Sequence, residues 1–260
     1  MKDKHFSLYR IDMKYNRNLA NHDDNVLSIS PQVGKEQRPY IGILIMINGK
    51  QYCAPITSAK PKHNNLPSKN FDYFKIYDKE KLISIINFNN MIPVCSSVIQ
   101  KIDIKIYKND SAKSKINKDL LTKELDWCCK NSEIIKKNAL KTYNAVTNQK
   151  NRNITLLKRC CDFKKLEAVL DKWIEKELNK FDDILKANPE LKAKLIKAAD
   201  KYLKTHQSAL PDSSITAKER FETRMKVLEA NPALMSEYKS AEEKLTQKQE
   251  AIAPKPKHRR

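Results

Sequence analysis

The chain has 260 residues, 40% of them hydrophobic, enough to bury a core of domain size and to exclude a wholly disordered polymer. Its 51 Lys+Arg against 31 Asp+Glu leave a formal net charge of +20, which favours a polyanionic partner, nucleic acid or an anionic membrane surface, unless it only reflects an AT-rich coding sequence. The opening "MKDKHFSLYR" has no apolar h-region and the longest apolar stretch, "YIGILIMI", is too short to span a bilayer, so a cytoplasmic protein is expected.

In chain order, "FSLYRIDMKY" alternates large and polar side chains and predicts a half-buried strand ending at Tyr15. "YIGILIMI" predicts a buried strand. Asn48-Gly49 predicts a type I′ hairpin turn into the next strand, "KQYCAPI". "FDYFKIY", "KLISIINF" and "VIQKIDIKIY" follow as further strands, making about six without a βαβ rhythm. An antiparallel or mixed sheet, closed as a small barrel, is expected. From Lys115 the apolar spacing turns helical, with a break near Asn131, and "LLKRCCDFKKLEAVLDKWIEKEL" is a second amphipathic segment with Asp162 as its cap. The fold class is α+β. The six cysteines lie outside C-x-x-C or Cys/His zinc spacing and read as reduced, structural thiols.

Composition changes near Phe181. Residues 1–181 hold 20 Asn and 7 Ala, whereas residues 182–260 hold 2 Asn and 11 Ala, which separates a first domain (1–181) from a helical extension (182–250). Within the extension, "ILKANPELKAKL" and "VLEANPALMSEY" repeat at an offset of 43 residues, with Asn188 and Asn231 expected to cap helices that open on Pro189 and Pro232. A further helix start is expected at Ser214 or Thr216. The tail, residues 251–260 with "APKPKHRR", is expected to be disordered.

The stretch that carries chemistry is "APITSAKPKHNN", residues 54–65. Thr57, Ser58, Lys60, Lys62 and His63 sit where a hairpin strand hands over to a loop, and Pro61 biases Lys60 towards an extended conformation. Cutting RNA through its own 2′-hydroxyl needs no supplied nucleophile, only in-line orientation, proton movement and stabilised phosphorane charge. A lysine with two hydroxyl donors suits the last task. His63 suits proton movement near neutral pH, and neighbouring positive charge makes proton transfer by Lys60 conceivable. A solvated basic loop is the plain reading of the same residues, and a non-catalytic basic RNA-binding protein with a helical interaction module is the corresponding function.

Taken in order, "LYRIDMKYNRNL", "RPYIGILI", "YCAPITSAKPKHNN", "INFNNMIPV" and "CCDFKKLE" resemble the ToxN/AbiQ family of type III toxin–antitoxin endoribonucleases over about residues 5–175. The resemblance implies a compact β-barrel flanked by helices. It implies an enzyme that cuts cellular or phage RNA without metal or other cofactor and leaves a 2′,3′-cyclic phosphate. It also implies inhibition by a repeat-derived RNA antitoxin that the toxin processes and with which it closes a ring. Carried over by position, Lys60 is the central catalytic residue, with Thr57 and Ser58 beside the scissile phosphate and Tyr15 and His63 in the site. Arg38 lines the same groove as Tyr15, and Lys62 and Lys14 are expected to bind RNA beside it. Ala59 stands where the family has proline, which would loosen the loop. The helical extension lies outside the family pattern and suggests a protein partner.

Overall fold

The computed structural model describes residues 6–27, 41–67, 70–148, 154–205 and 217–252. The sites expected at Arg38, at Ser214 and Thr216 and in the tail from residue 253 on lie outside the described residues. The chain divides into two compact units, Met1–Leu170 and Asp171–Arg260. That boundary precedes the composition change near Phe181 because it falls inside one unbroken amphipathic helix, whose periodicity carries no mark of the change of core.

Seven strands build the first unit's sheet: β1 (Leu8–Ile11), β2 (Ile41–Ile47), β3 (Lys50–Ser58), β4 (Tyr73–Asp78), β5 (Lys81–Asn87), β6 (Ile92–Pro93) and β7 (Ile99–Lys101). Their order is β4-β5-β3-β2-β1-β7, with β6 also on β3, and every pairing is antiparallel. The hairpin turn is as expected: Asn48 and Gly49 both take positive φ, 48° and 76°, as a type I′ turn requires. One edge of β3 carries β2. The other is shared, β6 against Tyr52–Cys53 and β5 against Ile56–Ser58. At Gly42 any larger residue would collide with the Ala54 carbonyl, so glycine permits the close β2–β3 approach.

The expected barrel is not closed. Among the described residues the sheet ends on β4 and β7 without pairing between them. Closure demands strands long enough to pair on both sides with a consistent stagger. Here "VIQKIDIKIY" supplies only the three residues of β7, and Ile102 N–H adds one more bond to Leu8 O at 2.9 Å. The first strand is likewise shorter than the alternation suggested. Asp12 accepts the Tyr15 N–H at 2.8 Å and starts helix α1 (Met13–Ala20), so Tyr15 lies on a helix.

Helices α3 (Ala112–Lys130) and α4 (Ser132–Thr147) break at Asn131 as the spacing predicted. The short α5 (Ile154–Leu157) precedes α6 (Phe163–Ala187), where Asp162 accepts the Lys165 N–H at 3.1 Å, as a cap should. Phe163, Leu166, the sheet residues Leu8, Ile43, Tyr52 and Ile85, and Phe88 just after β5 are all buried in the first unit. None of the six cysteines is bridged, and burial pushes the thiols of Cys53, Cys128, Cys160 and Cys161 up, which keeps them protonated and inert.

The second unit packs the end of α6 with α7 (Pro189–Thr205), α8 (Ala217–Glu229) and α9 (Pro232–Ile252) around Phe181, Ile184, Leu195, Leu228 and Tyr238. The repeated Asn-Pro steps work differently from the expected caps. Both asparagine amides donate backwards, Asn188 to Ile184 O at 2.8 Å and Asn231 to Val227 O at 2.7 Å. They therefore satisfy carbonyls of the helix that is ending. No helix of the described residues is long and apolar enough to cross a membrane.

Candidate active site

Lys60 is the first residue beyond the sheet. Thr57 and Ser58 pair with Ile85 and Ser84 of β5, and Ala59 N–H donates to Ile83 O at 2.9 Å, extending the ladder by one bond. Proline has no N–H to give, so Ala59 supplies a tie that the expected family residue lacks, and the loop is anchored where it was expected to loosen. Lys60 is extended (φ −124°, ψ 156°), as a residue before proline should be, and Pro61 opens the single-turn helix α2 (Pro61–Asn64).

His63 closes this turn onto Lys60 from both sides. Its N–H donates to Lys60 O at 2.8 Å, and its Nδ1 accepts the Lys60 N–H at 3.0 Å. Because a backbone N–H only donates, Nδ1 is the unprotonated nitrogen and the neutral ring carries its proton on Nε2. Partial burial lowers the His63 pKa, and Lys62, Lys60 and Lys75 lower it further, so the neutral ring is favoured. His63 thus presents an N–H donor to the loop rather than a free base.

Lys60 and Lys62 are exposed, and neither has a carboxylate partner among the described residues. Thr57 and His63 are half-buried and Ser58 is exposed. Strand alternation sends Thr57 and Ser58 to opposite faces of β3, so the two hydroxyls do not share one face of the sheet. Tyr15 corrects the expectation most sharply. Its ring is fully buried and its hydroxyl donates to Pro93 O at 2.7 Å, which ties α1 to β6. The residue packs in the core, off the open surface where RNA would lie.

Lys14 is exposed in a furrow of about 460 Å³ lined also by Arg10, Arg17, Ser97 and Gln100. Arg10 lies opposite Ile41, and the next residue of β2, Gly42, lies opposite Pro55. The furrow therefore shares with the Thr57–His63 loop one end of the sheet, two strand spacings or about 10 Å across.

Two residues of the site escaped sequence reasoning. Asn87 Nδ2 donates to Thr57 Oγ1 at 3.0 Å, a bond that uses the threonine oxygen as acceptor and does not consume its O–H. Lys75 stands opposite Ile85, itself opposite Thr57, and its Nζ reaches Asn64 O at 3.2 Å, adding a third lysine to the loop. The only early signal was Asn87 within "INFNNMIPV"; its partner is set by strand register, which sequence does not give. Asn87→Ala is expected to lower the single-turnover cleavage rate about tenfold with KM unchanged, the worth of one net hydrogen bond. The measurement that checks it is a cycle with Thr57→Ala, in which the second substitution should add little to the first.

Residues 7–171 match the family described as Toxin ToxN, type III toxin–antitoxin system, a match that ends where the second compact unit begins. Endoribonuclease ToxN of Pectobacterium atrosepticum is 30% identical over 115 residues, 43% of this chain and 67% of that protein. Endoribonuclease ToxN of Bacillus thuringiensis subsp. kurstaki is 31% identical over 153 residues, 57% of this chain and 75% of that protein. A solved structure described in terms of bacterial type III toxin–antitoxin systems and selective toxin inhibition by a non-coding RNA pseudoknot is 27% identical with a TM-score of 0.55, covering 65% of this chain and 98% of that one.

Proposed function

The chain belongs to the ToxN toxin family of type III toxin–antitoxin systems, and from that premise we propose that it is an endoribonuclease toxin held in check by an RNA antitoxin. The observation that carries the site assignment is an exposed Lys60, without a carboxylate partner among the described residues, whose backbone is clasped by His63 at the end of the strand that carries Thr57.

In the proposed reaction the ribose 2′-oxygen attacks the adjacent phosphorus. The 2′-O–P bond forms and the P–O5′ bond breaks; solvent water takes the proton from the 2′-hydroxyl and supplies one to the departing 5′-oxygen. The Lys60 ammonium and the Thr57 O–H stabilise the two non-bridging oxygens as charge builds on them. His63 donates its Nε2–H to the same phosphate, and Lys62, Lys75 and the furrow residues Arg10, Lys14 and Arg17 guide the flanking backbone. Ser58, at the strand end on the other face, borders the neighbouring nucleotide. This division of labour uses groups of the chain together with solvent water, and no cofactor enters it.

The antitoxin in this reading is a repeat-derived small RNA that the toxin itself processes, bound across the same loop in a protein–RNA ring. Residues 1–170 carry the cutting activity, and the helical unit beyond the family match is an appendage suited to a protein partner. The experiment is cleavage of a labelled RNA by the full chain in EDTA, with product ends mapped. Cyclic phosphate and 5′-hydroxyl ends are expected. A strict magnesium requirement would overturn the chemistry, and intact RNA after salt-sensitive binding would reduce the protein to a non-catalytic RNA binder.

A further inference from the structure

The segment from β7 into α3, residues 99–118, holds six lysines and two aspartates, a net charge of +4. Both acids are used inside the loop. Asp103 accepts the Tyr107 hydroxyl at 2.8 Å and the Lys105 N–H at 2.9 Å. Asp110 accepts the Tyr107 N–H at 2.8 Å and pairs with Lys118 at 2.9 Å. Their product is an aromatic ring fixed at the surface rather than buried. Tyr107 is 45% exposed, with Lys118 Nζ 4.8 Å and Lys105 Nζ 5.5 Å from the ring centroid. Two further apolar side chains of the segment face solvent, Ile106 at 49% and Ile116 at 71% exposure. Lys101, Lys105, Lys108, Lys113 and Lys115 have no carboxylate partner among the described residues.

We propose that the Tyr107 loop is a second RNA-contact surface, on which an unpaired base stacks on the tyrosine ring while the surrounding lysines hold its phosphates. The inference rests on the RNA reading above and concerns a different set of residues: β2 and β1 separate β3, which leads into the Lys60 loop, from β7, which leads into the Tyr107 loop. Unpaired nucleotides offer apolar base faces and anionic phosphates together, the chemistry that this apolar and cationic surface complements; a duplex hides its bases. The hydrogen bonds to Asp103 and Asp110 order the ring before RNA arrives, which lowers the entropic cost of stacking. The two acids that would repel phosphate are meanwhile occupied by donors of the loop.

The test is binding of the full chain to a single-stranded 2′-O-methyl oligoribonucleotide, which lacks the attacking hydroxyl, of about thirty nucleotides, roughly twice the ~16 that one groove tracks. Tyr107→Ala is expected to raise Kd about 5- to 150-fold, the range for one stacked base. Tyr107→Phe, which keeps the ring and its backbone bond to Asp110 but gives up the Asp103 bond, is expected to lose far less affinity than Tyr107→Ala. Lys105→Gln with Lys108→Gln is expected to flatten the salt dependence by about 0.7 in log–log slope per lysine, with Tyr107→Ala leaving the slope unchanged. If the parent binds and Tyr107→Ala binds equally well, as it would were this face reserved for a protein partner, the platform is overturned and the nuclease reading stands. If Tyr107→Phe loses as much as Tyr107→Ala, loop order rather than stacking is responsible, and the proposal again fails. A parent chain without affinity for the oligonucleotide sinks the RNA reading along with it.

Discussion

Lys60→Ala is expected to lower RNA cleavage about 10²- to 10³-fold, the cost of removing one preorganised donor from developing negative charge, and to abolish growth arrest on expression. The reason lies in how the ammonium is presented. Lys60 follows directly on a β-ladder bond from Ala59, precedes a proline, and exchanges two hydrogen bonds with His63. Its backbone is fixed while its side chain is exposed, and among the described residues it has no carboxylate partner for phosphate to displace. Substitution of an exposed side chain whose structural bonds are made by its backbone should leave stability within about 0.5 kcal/mol, so lost activity would report on chemistry. Lys62→Ala is the internal contrast: it should weaken binding and flatten the salt dependence without changing the rate of the bound complex. A Lys60→Ala protein as toxic as the parent would remove the lysine from the mechanism.

How much of this was legible beforehand depended on whether the signal was local. Asn48-Gly49 announced its turn because two positive φ values in a row restrict residue choice severely. Asp162 announced a helix start, and Pro61 announced the extended Lys60, for equally local reasons. Tyr15 was misread because its alternating neighbours mimic a strand, whereas Asp12 claims the Tyr15 N–H and turns the chain into α1 after only four strand residues. Barrel closure could not be read from a run such as "VIQKIDIKIY", whose alternation persists beyond the three residues that find a strand partner. Asn87 and Lys75 reach the site across strands, and their places follow from a register that pairs residues dozens of positions apart. The asparagines hold the expected cap positions before Pro189 and Pro232, their carbonyls accepting the Lys192 and Met235 N–H, but their amides donate to carbonyls of the preceding helix instead of capping the new one, because an amide can donate as well as accept.

Glu167 carries the second large effect, this time on stability. It is almost fully buried on α6, yet its carboxylate is well supplied: Tyr52 donates to Oε1 at 2.6 Å and Tyr143 at 2.8 Å, while Lys50 lies 2.6 Å and Lys164 3.3 Å from Oε2. These bonds lash the closing helix to β3, the strand that delivers Thr57 and Lys60, and to α4. Burial pushes the Glu167 pKa up, but the bonds from Lys50, Tyr52 and Tyr143 outweigh it and the carboxyl ends below its usual value. A depressed carboxyl contributes stability that is complete above its unfolded pKa and is lost as pH falls through the folded one, so the network should weaken only under acid conditions. Glu167→Leu strands the two buried tyrosine hydroxyls, while the ammonium groups of half-buried Lys50 and exposed Lys164 return to water, and it is expected to cost about 3 kcal/mol, a fall in Tm of about 6–12 °C for a protein of this size. Adding Tyr52→Phe and Tyr143→Phe to Glu167→Leu should recover part of that loss, because a hydrogen-bonded set replaced whole by apolar groups leaves nothing unsatisfied. Calorimetry of the three proteins at neutral pH decides it: an unchanged Tm for Glu167→Leu, or a triple variant no more stable than the single one, would show that the carboxylate is not what binds α6 to the sheet.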